Sequence, residues 1–224
     1  MGGCQGFYTL YRFLIGILVN NKGQNAINVV PGAADALTTD DIDAASNVII
    51  ESSIFLTQLE APKDVVYYAL KIAKENNVTT ILNPAPASKI DENIFPLIDY
   101  FTPNEIEASF YVNHKVENEE DAKKASEKLL QIGIKNVIIT LGDKGAYFAN
   151  NEENFHVNAL NLEGSVVDTT GAGDAFNGAF ATALCEEKSI KETLIFATAY
   201  AGISTTRIGT ANSMPSREEI DKLL

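Results

Sequence analysis

Short apolar runs alternate with stretches of helical spacing from residue 40 to the end of the chain. That alternation predicts βαβ units feeding a mainly parallel sheet with helices on both faces. Residues 48–50, 54–56, 79–82, 100–102, 137–141 and 146–149 read as strands, and 13–19 as a further, buried one. Between them, Val65, Ala69, Ile72 and Ala73 share one helical face behind Pro62, and Asn76-Asn77 supplies a stop. Ala122, Ala125, Leu129 and Ile132 repeat that spacing up to Gly133. Phe176, Ala179, Phe180 and Ala183 predict a buried helix whose small residues allow close packing, and Ile190, Leu194, Ala197 and Ala201 predict the next. Ser216 with Glu219 forms a capping box for a last short helix.

Composition adds limits. The 224 residues are 46% hydrophobic and 21% charged, enough for one sizeable core, and no low-complexity linker or fixed-period repeat divides them. The formal charge of −13 argues against nucleic acid and anionic membrane as partners. Two cysteines and two histidines, far apart, offer neither a disulfide framework nor zinc spacing, so a cytoplasmic setting is expected. The apolar stretch 7–19 contains Arg12 and is too short to span a bilayer, and Gly6 stands where an acylation signal wants Ser or Thr.

The chemistry concentrates at Asp168-Thr169-Thr170-Gly171-Ala172-Gly173-Asp174, directly before the small-residue helix. No phosphate loop of the G-x-x-x-x-G-K-[ST] kind and no nucleophile elbow is present, and Phe176 spoils a dinucleotide fingerprint. Gly171 and Gly173 around Ala172 let successive amides point into one space at a helix N-terminus, which makes an anion hole. Asp174 falls in the first turn and is a candidate proton acceptor, so the pair suits phosphoryl transfer to a hydroxyl. Asn104 and Glu107, three apart at a helix start, read either as oxygen donors for a magnesium site or as an ordinary cap with a first-turn acid. Thr140-Leu141-Gly142 reads as a ligand contact at a strand's carboxyl end, as a hairpin turn, or as both. Glu60 alone reads as a solvated loop residue, and the Asn83-Pro84-Ala85-Pro86 segment as one that shapes a loop without doing chemistry.

The Asp168-to-Gly178 segment resembles the signature of the ribokinase family of carbohydrate kinases. Leu82-Asn83-Pro84-Ala85-Pro86-Ala87, Pro103-Asn104-Glu105-Ile106-Glu107, Thr140-Leu141-Gly142-Asp143-Lys144-Gly145 and Arg207-Ile208-Gly209-Thr210-Ala211-Asn212-Ser213-Met214-Pro215 resemble further family blocks, in the family's order. The resemblance implies an α/β ribokinase-like fold over 17–224, with 1–16 unmatched, and an ATP-dependent kinase acting on the terminal hydroxyl of a small sugar, D-ribose first. It implies Asp174 as catalytic base and substrate contact, Gly171, Ala172 and Gly173 as the anion hole, and Glu60 as a sugar-hydroxyl contact. Asn104, Thr140, Gly142, Gly145 and Thr198 would bind ATP, although many relatives carry a larger amide or imidazole at the Thr198 position. Glu107 would support a Mg2+ site. Carbonyls of Thr170, Ser204, Arg207 and Gly209, with side-chain oxygens of Asp168 and Ser213, would hold K+.

Family members begin with a strand whose Asp holds the sugar, then a small lid sheet and a Gly-Gly-Lys-Gly segment; none of these is legible in this chain. The expectation is therefore a kinase domain lacking its N-terminal strands and lid, with exposed sheet edges and, if it forms a homodimer, a loosened one. Alternatives are a kinase of another sugar or nucleoside, and a catalytically inactive remnant that only binds nucleotide.

Overall fold

The computed structural model describes residues 14–19, 25–162 and 165–224. Its centre is a six-stranded sheet of β3 (Ile54–Thr57), β4 (Thr79–Leu82), β5 (Tyr100–Phe101), β6 (Asn136–Thr140), β7 (Ala146–Ala149) and β8 (Asn154–Val157), in that spatial order. The first four run parallel, and β7 and β8 are antiparallel additions. Helices α2 (Lys63–Glu75), α3 (Glu105–Val112) and α4 (Glu119–Gln131) make the crossovers, and α5 (Ala172–Cys185), α6 (Ile190–Ser204) and the short α7 (Arg217–Asp221) follow the last strand.

Side-chain alternation along the strands divides the core in two. Leu82, Val137, Ile139 and Tyr147 face α2, α3 and α4, packing with Leu70, Ala108 and Leu129. Their neighbours Ile81, Ile138 and Phe148 face the other way, onto Phe176 and Phe180 of α5 and Leu194 and Ala197 of α6. Both faces are covered, as a parallel sheet requires. The helix ends follow the sequence: α2 stops at Asn76 with Asn77 in the left-handed region, Gly133 takes φ 105° just after α4, and Ser216 and Glu219 form the expected capping box of α7.

Two expectations are corrected. Residues 48–50 are not a strand but the last turn of α1 (Thr39–Ile50), which opens with a Thr38–Asp41 capping box. The apolar run misled because its length suits a strand, yet only Ile49 is buried, against Ala69, Ala73 and Val78, while Val48 is 70% exposed. Ile42 packs on the same cluster seven residues earlier, a helical interval. The N-terminal run likewise is not a buried strand of the central sheet. Leu14–Val19 (β1) pairs antiparallel with Asn25–Val30 (β2) in a separate two-stranded sheet, and Leu18 is 77% exposed; Phe13 lies outside the described residues. Among the described residues β3 and β8 are the two edges of this sheet, each with a partner on one side only.

Candidate active site

The parallel strands deliver their last residues to one edge of the sheet, where open α/β folds bind ligands. Gln58 follows β3, Asn83 follows β4, Thr102 follows β5 and Thr140 ends β6. The N-terminus of α5 reaches the same edge. Gly171 caps it in the left-handed region at φ 76°, ψ 4°, a conformation that costs a side-chain-bearing residue far more than glycine. The amides of Gly171, Ala172 and Gly173 open this 14-residue helix at its positive end. Asp174 is exposed in the first turn, and its Oδ1 accepts a hydrogen bond from Gln58 Nε2 at 3.1 Å. Burial, and next the charge of Asp174, push the Glu60 carboxyl above the usual glutamate range, so the two carboxylates share one electrostatic environment. Asp174 also borders a cavity of about 490 Å³ between α5, α6 and the segment reaching Arg217.

A second group lies where β5 and β6 end. Asn104 and Thr140 form a parallel bridge, reinforced by the Thr140 amide donating to Pro103 O at 3.0 Å. Asn104 caps α3 by accepting from the Glu107 amide at 2.9 Å, while the two Glu107 carboxylate oxygens accept from the Asn104 amide and side chain at 2.9 and 3.1 Å. The capping alternative is therefore realised, and Glu107, buried and pushed up by that burial, spends both oxygens on orienting Asn104. Gly142 lies in the tight turn between β6 and β7, so the hairpin reading also holds. Gly145 closes that turn at φ 101°, and a Cβ there would come within 1.9 Å of Val157 O. Thr198 sits within α6, 7% exposed, with its buried Oγ1 lacking a hydrogen-bond partner.

The third group lies behind Gly171, at the start of α5. Asp168 is buried and accepts the Thr170 amide at 3.0 Å on Oδ1 and the Gly209 amide at 3.1 Å on Oδ2. Thr210 packs against Gly171, 3.3 Å from where a Cβ would stand. Ser204 and Ser213 are buried, donating to Ala201 O and Thr210 O at 2.8 and 2.6 Å, and the Arg207 amide donates to Ser204 O at 3.4 Å. The Arg207 side chain turns outward to Glu219. Asp168, Thr170, Gly209 and Ser213 thus belong to one oxygen-rich fold of backbone. Among the described residues no group of three or more His, Cys, Asp or Glu gathers as a metal site, and no helix is long and apolar enough to cross a membrane.

Comparisons with known proteins bear on the family and the fold. A profile described as pfkB family carbohydrate kinase matches residues 14–217. The chain belongs to the pfkB family of carbohydrate kinases. It is 38% identical over 208 residues to a ribokinase of Staphylococcus aureus, covering 92% of this chain and 68% of that protein. The solved structure of ribokinase from Thermotoga maritima superposes with a TM-score of 0.80 at 42% identity, covering 93% of this chain and 68% of that one. Arabidopsis thaliana ribokinase, solved with ribose and ATP, gives 0.83 at 31% identity, covering 94% and 68%. The chain thus spans about two thirds of the length of these pfkB relatives.

The edge also contains residues that sequence reasoning passed over or undervalued. Asn83 also ties strand ends together: it is 7% exposed, and its side chain accepts from Gln58 and donates to Thr102 O. Gln58 carries no motif. The available signal was its position, a polar residue directly after an apolar strand or within one residue of its end, a trait shared with Asn83 and Thr102.

Proposed function

We propose that this pfkB-family chain phosphorylates the terminal 5-hydroxyl of D-ribose with ATP, giving ribose 5-phosphate and ADP. The observation that carries the reading is Asp174 in the first turn of α5, immediately after Gly171–Gly173 and in electrostatic reach of Glu60. The sugar hydroxyl approaches the free face of Asp174, and Glu60 accepts hydrogen bonds from another hydroxyl of the sugar. Asp174 takes the proton as the hydroxyl oxygen attacks the terminal phosphorus of ATP, and the bond to ADP breaks. The amides of Gly171, Ala172 and Gly173 hold the charge that develops on the transferred group, worth roughly a hundredfold or more in rate per well-aimed donor.

Nucleotide binding falls to the second group. Asn104, Thr140, Gly142 and Gly145 would line the phosphates, and the unpartnered Thr198 Oγ1 is a buried polar atom suited to the nucleobase. With Glu107 committed to Asn104, the donor set fits Mg2+ carried chiefly by nucleotide phosphates, with Glu107 acting through Asn104. Bound there, Mg2+ would neutralise phosphate charge. The oxygens of Asp168, Thr170, Ser204, Arg207, Gly209 and Ser213 fit K+ because Asp168, Gly209 and Ser213 lie in one oxygen-rich stretch of chain and a hard cation takes oxygen ligands.

The test is ADP release by the 224-residue chain with Mg2+-ATP and D-ribose, with and without K+, beside Asp174→Asn. Ribose-dependent turnover that falls by about a hundredfold or more in the variant supports the reading. Folded chain that binds ATP yet releases no ADP with ribose, other pentoses or nucleosides overturns it.

A further inference from the structure

Asp174 is tied into a closed circuit of hydrogen bonds. Gln58 Nε2 donates to Asp174 Oδ1 at 3.1 Å and to Asn83 Oδ1 at 2.9 Å. Asn83 Nδ2 donates to the backbone carbonyl of Thr102 at 2.8 Å. The Thr102 hydroxyl donates to Asn177 Oδ1 at 2.7 Å, and Asn177 Nδ2 donates to the carbonyl of Gly173 at 2.9 Å. Gly173 is peptide-bonded to Asp174, so the circuit returns to its start. It passes through the ends of β3, β4 and β5 and the first turn of α5.

The chemistry of the members fixes each orientation. A backbone carbonyl only accepts, so Asn83 must turn its amide nitrogen to Thr102 and its oxygen to Gln58. Gln58 must then present nitrogen, and its two hydrogens are spent on Asn83 and Asp174. On the other arm the Gly173 carbonyl forces the Asn177 nitrogen inward, which leaves its oxygen for the Thr102 hydroxyl. Asn83, Thr102 and Asn177 are all buried, where a reversed amide would strand unpaired groups at a cost of about 1–3 kcal/mol each.

We infer that Gln58 is a positioning residue for Asp174, holding Oδ1 so that Oδ2 faces the acceptor hydroxyl, with Asn83, Thr102 and Asn177 locking Gln58 and the Gly173 carbonyl in place. The inference rests on Asp174 as the base of the proposed reaction. Gln58 touches neither sugar nor nucleotide in this role, so its removal acts on turnover more than on binding.

Gln58→Met keeps the bulk and deletes both donors; Gln58→Glu places an acceptor against two acceptors. The Met variant is expected to lose about ten- to a hundredfold in kcat, the scale of a misplaced reacting group, with KM for ATP and sugar changed less than about twofold. The Glu variant is expected to lose more as pH rises from about 5 to 8 and the introduced carboxylate ionises beside Asp174. Added to Asp174→Asn, Gln58→Met is expected to change nothing further, because the group it positions is already disabled. Wild-type kcat in the Met variant, or losses that multiply in the double variant, would overturn the inference. Should wild type itself show no sugar-dependent turnover, the kinase reading fails, and NMR of the Gln58 side-chain amide decides positioning alone. Two inequivalent, slowly exchanging protons that shift with Asp174→Asn support it; a solvent-averaged amide indifferent to that change overturns it.

Discussion

Asp168 Oδ2 accepts the Gly209 amide at 3.1 Å, joining segments 41 residues apart behind the start of α5. Bonds from the Thr170 side chain and amide, then from the Gly209 amide, hold the Asp168 carboxyl below the usual aspartate range. In Asp168→Asn one carboxylate oxygen becomes an amide group that faces a backbone donor. The variant is expected to unfold about 1–3 kcal/mol more easily in denaturant titration, the cost of a buried unsatisfied donor. Because Thr210 packs on Gly171 from the same loop, ADP release is expected to fall further than the population of folded chain does.

Asp99 anchors the opposite edge of the sheet. Burial pushes its carboxyl up, but bonds from Lys74, the Thr80 amide and Lys135 outweigh burial and hold it below its ordinary value of 3.8. A depressed carboxylate means that the unfolded chain binds more protons, so stability rises with pH. The contribution is complete above about pH 5, well clear of the unfolded value, and is lost as pH falls through the folded one. Asp99→Asn is expected to destabilise the fold near neutrality by about 1–3 kcal/mol, and the gap to wild type is expected to narrow in calorimetry as pH falls below the ordinary aspartate value of 3.8. A gap that stays constant across that range assigns the loss to packing instead.

How much was legible in the sequence depended on how locally each feature is encoded. The stop at Asn76-Asn77 and the cap at Ser216 and Glu219 rest on neighbours within four residues and were readable. So was the start of α5 at Gly171, with Asp174 in its first turn, because these residues are contiguous. The pairing of Gln58 with Asp174 spans 116 residues and depends on β3, β4 and β5 standing side by side, an order that periodicity does not state. β8 escaped because Asn154-Phe155-His156-Val157 is short and half polar. The 48–50 run failed for the opposite reason: three apolar residues are too few to tell a strand from a helix end.

That ambiguity supplies its own check. Val48 faces solvent on the last turn of α1, so Val48→Lys is expected to change unfolding free energy by no more than about 0.5 kcal/mol. The next residue behaves differently. Ile49 packs on Ala69, Ala73 and Val78, and Ile49→Ala is expected to cost about 2 kcal/mol or more in the same denaturant titration. Equal losses at both positions would place the run in a strand buried on two faces.

Gly145 and Gly173 separate stability from chemistry. At Gly145 a Cβ would meet Val157 O at 1.9 Å and Ala159 N at 2.7 Å, on a backbone at φ 101°. Both obstacles are backbone, which cannot swing aside as a side chain can, so Gly145→Ala is expected to destabilise by about 3 kcal/mol and to disturb the turn beside Thr140. At Gly173 nothing lies within 4 Å of an added Cβ, and the residue belongs to the first turn of α5. Gly173→Ala is therefore expected to stabilise the fold by about 0.4–1 kcal/mol through lost freedom of the unfolded chain. The same methyl group, exposed at the mouth of the anion hole, hinders the close approach of a phosphoryl group to the amides, so ADP release is expected to fall while the melting temperature rises. Thermal melts and ADP assays on both variants read the two signs: a Gly173→Ala chain that is both more stable and fully active would remove Gly173 from the anion hole.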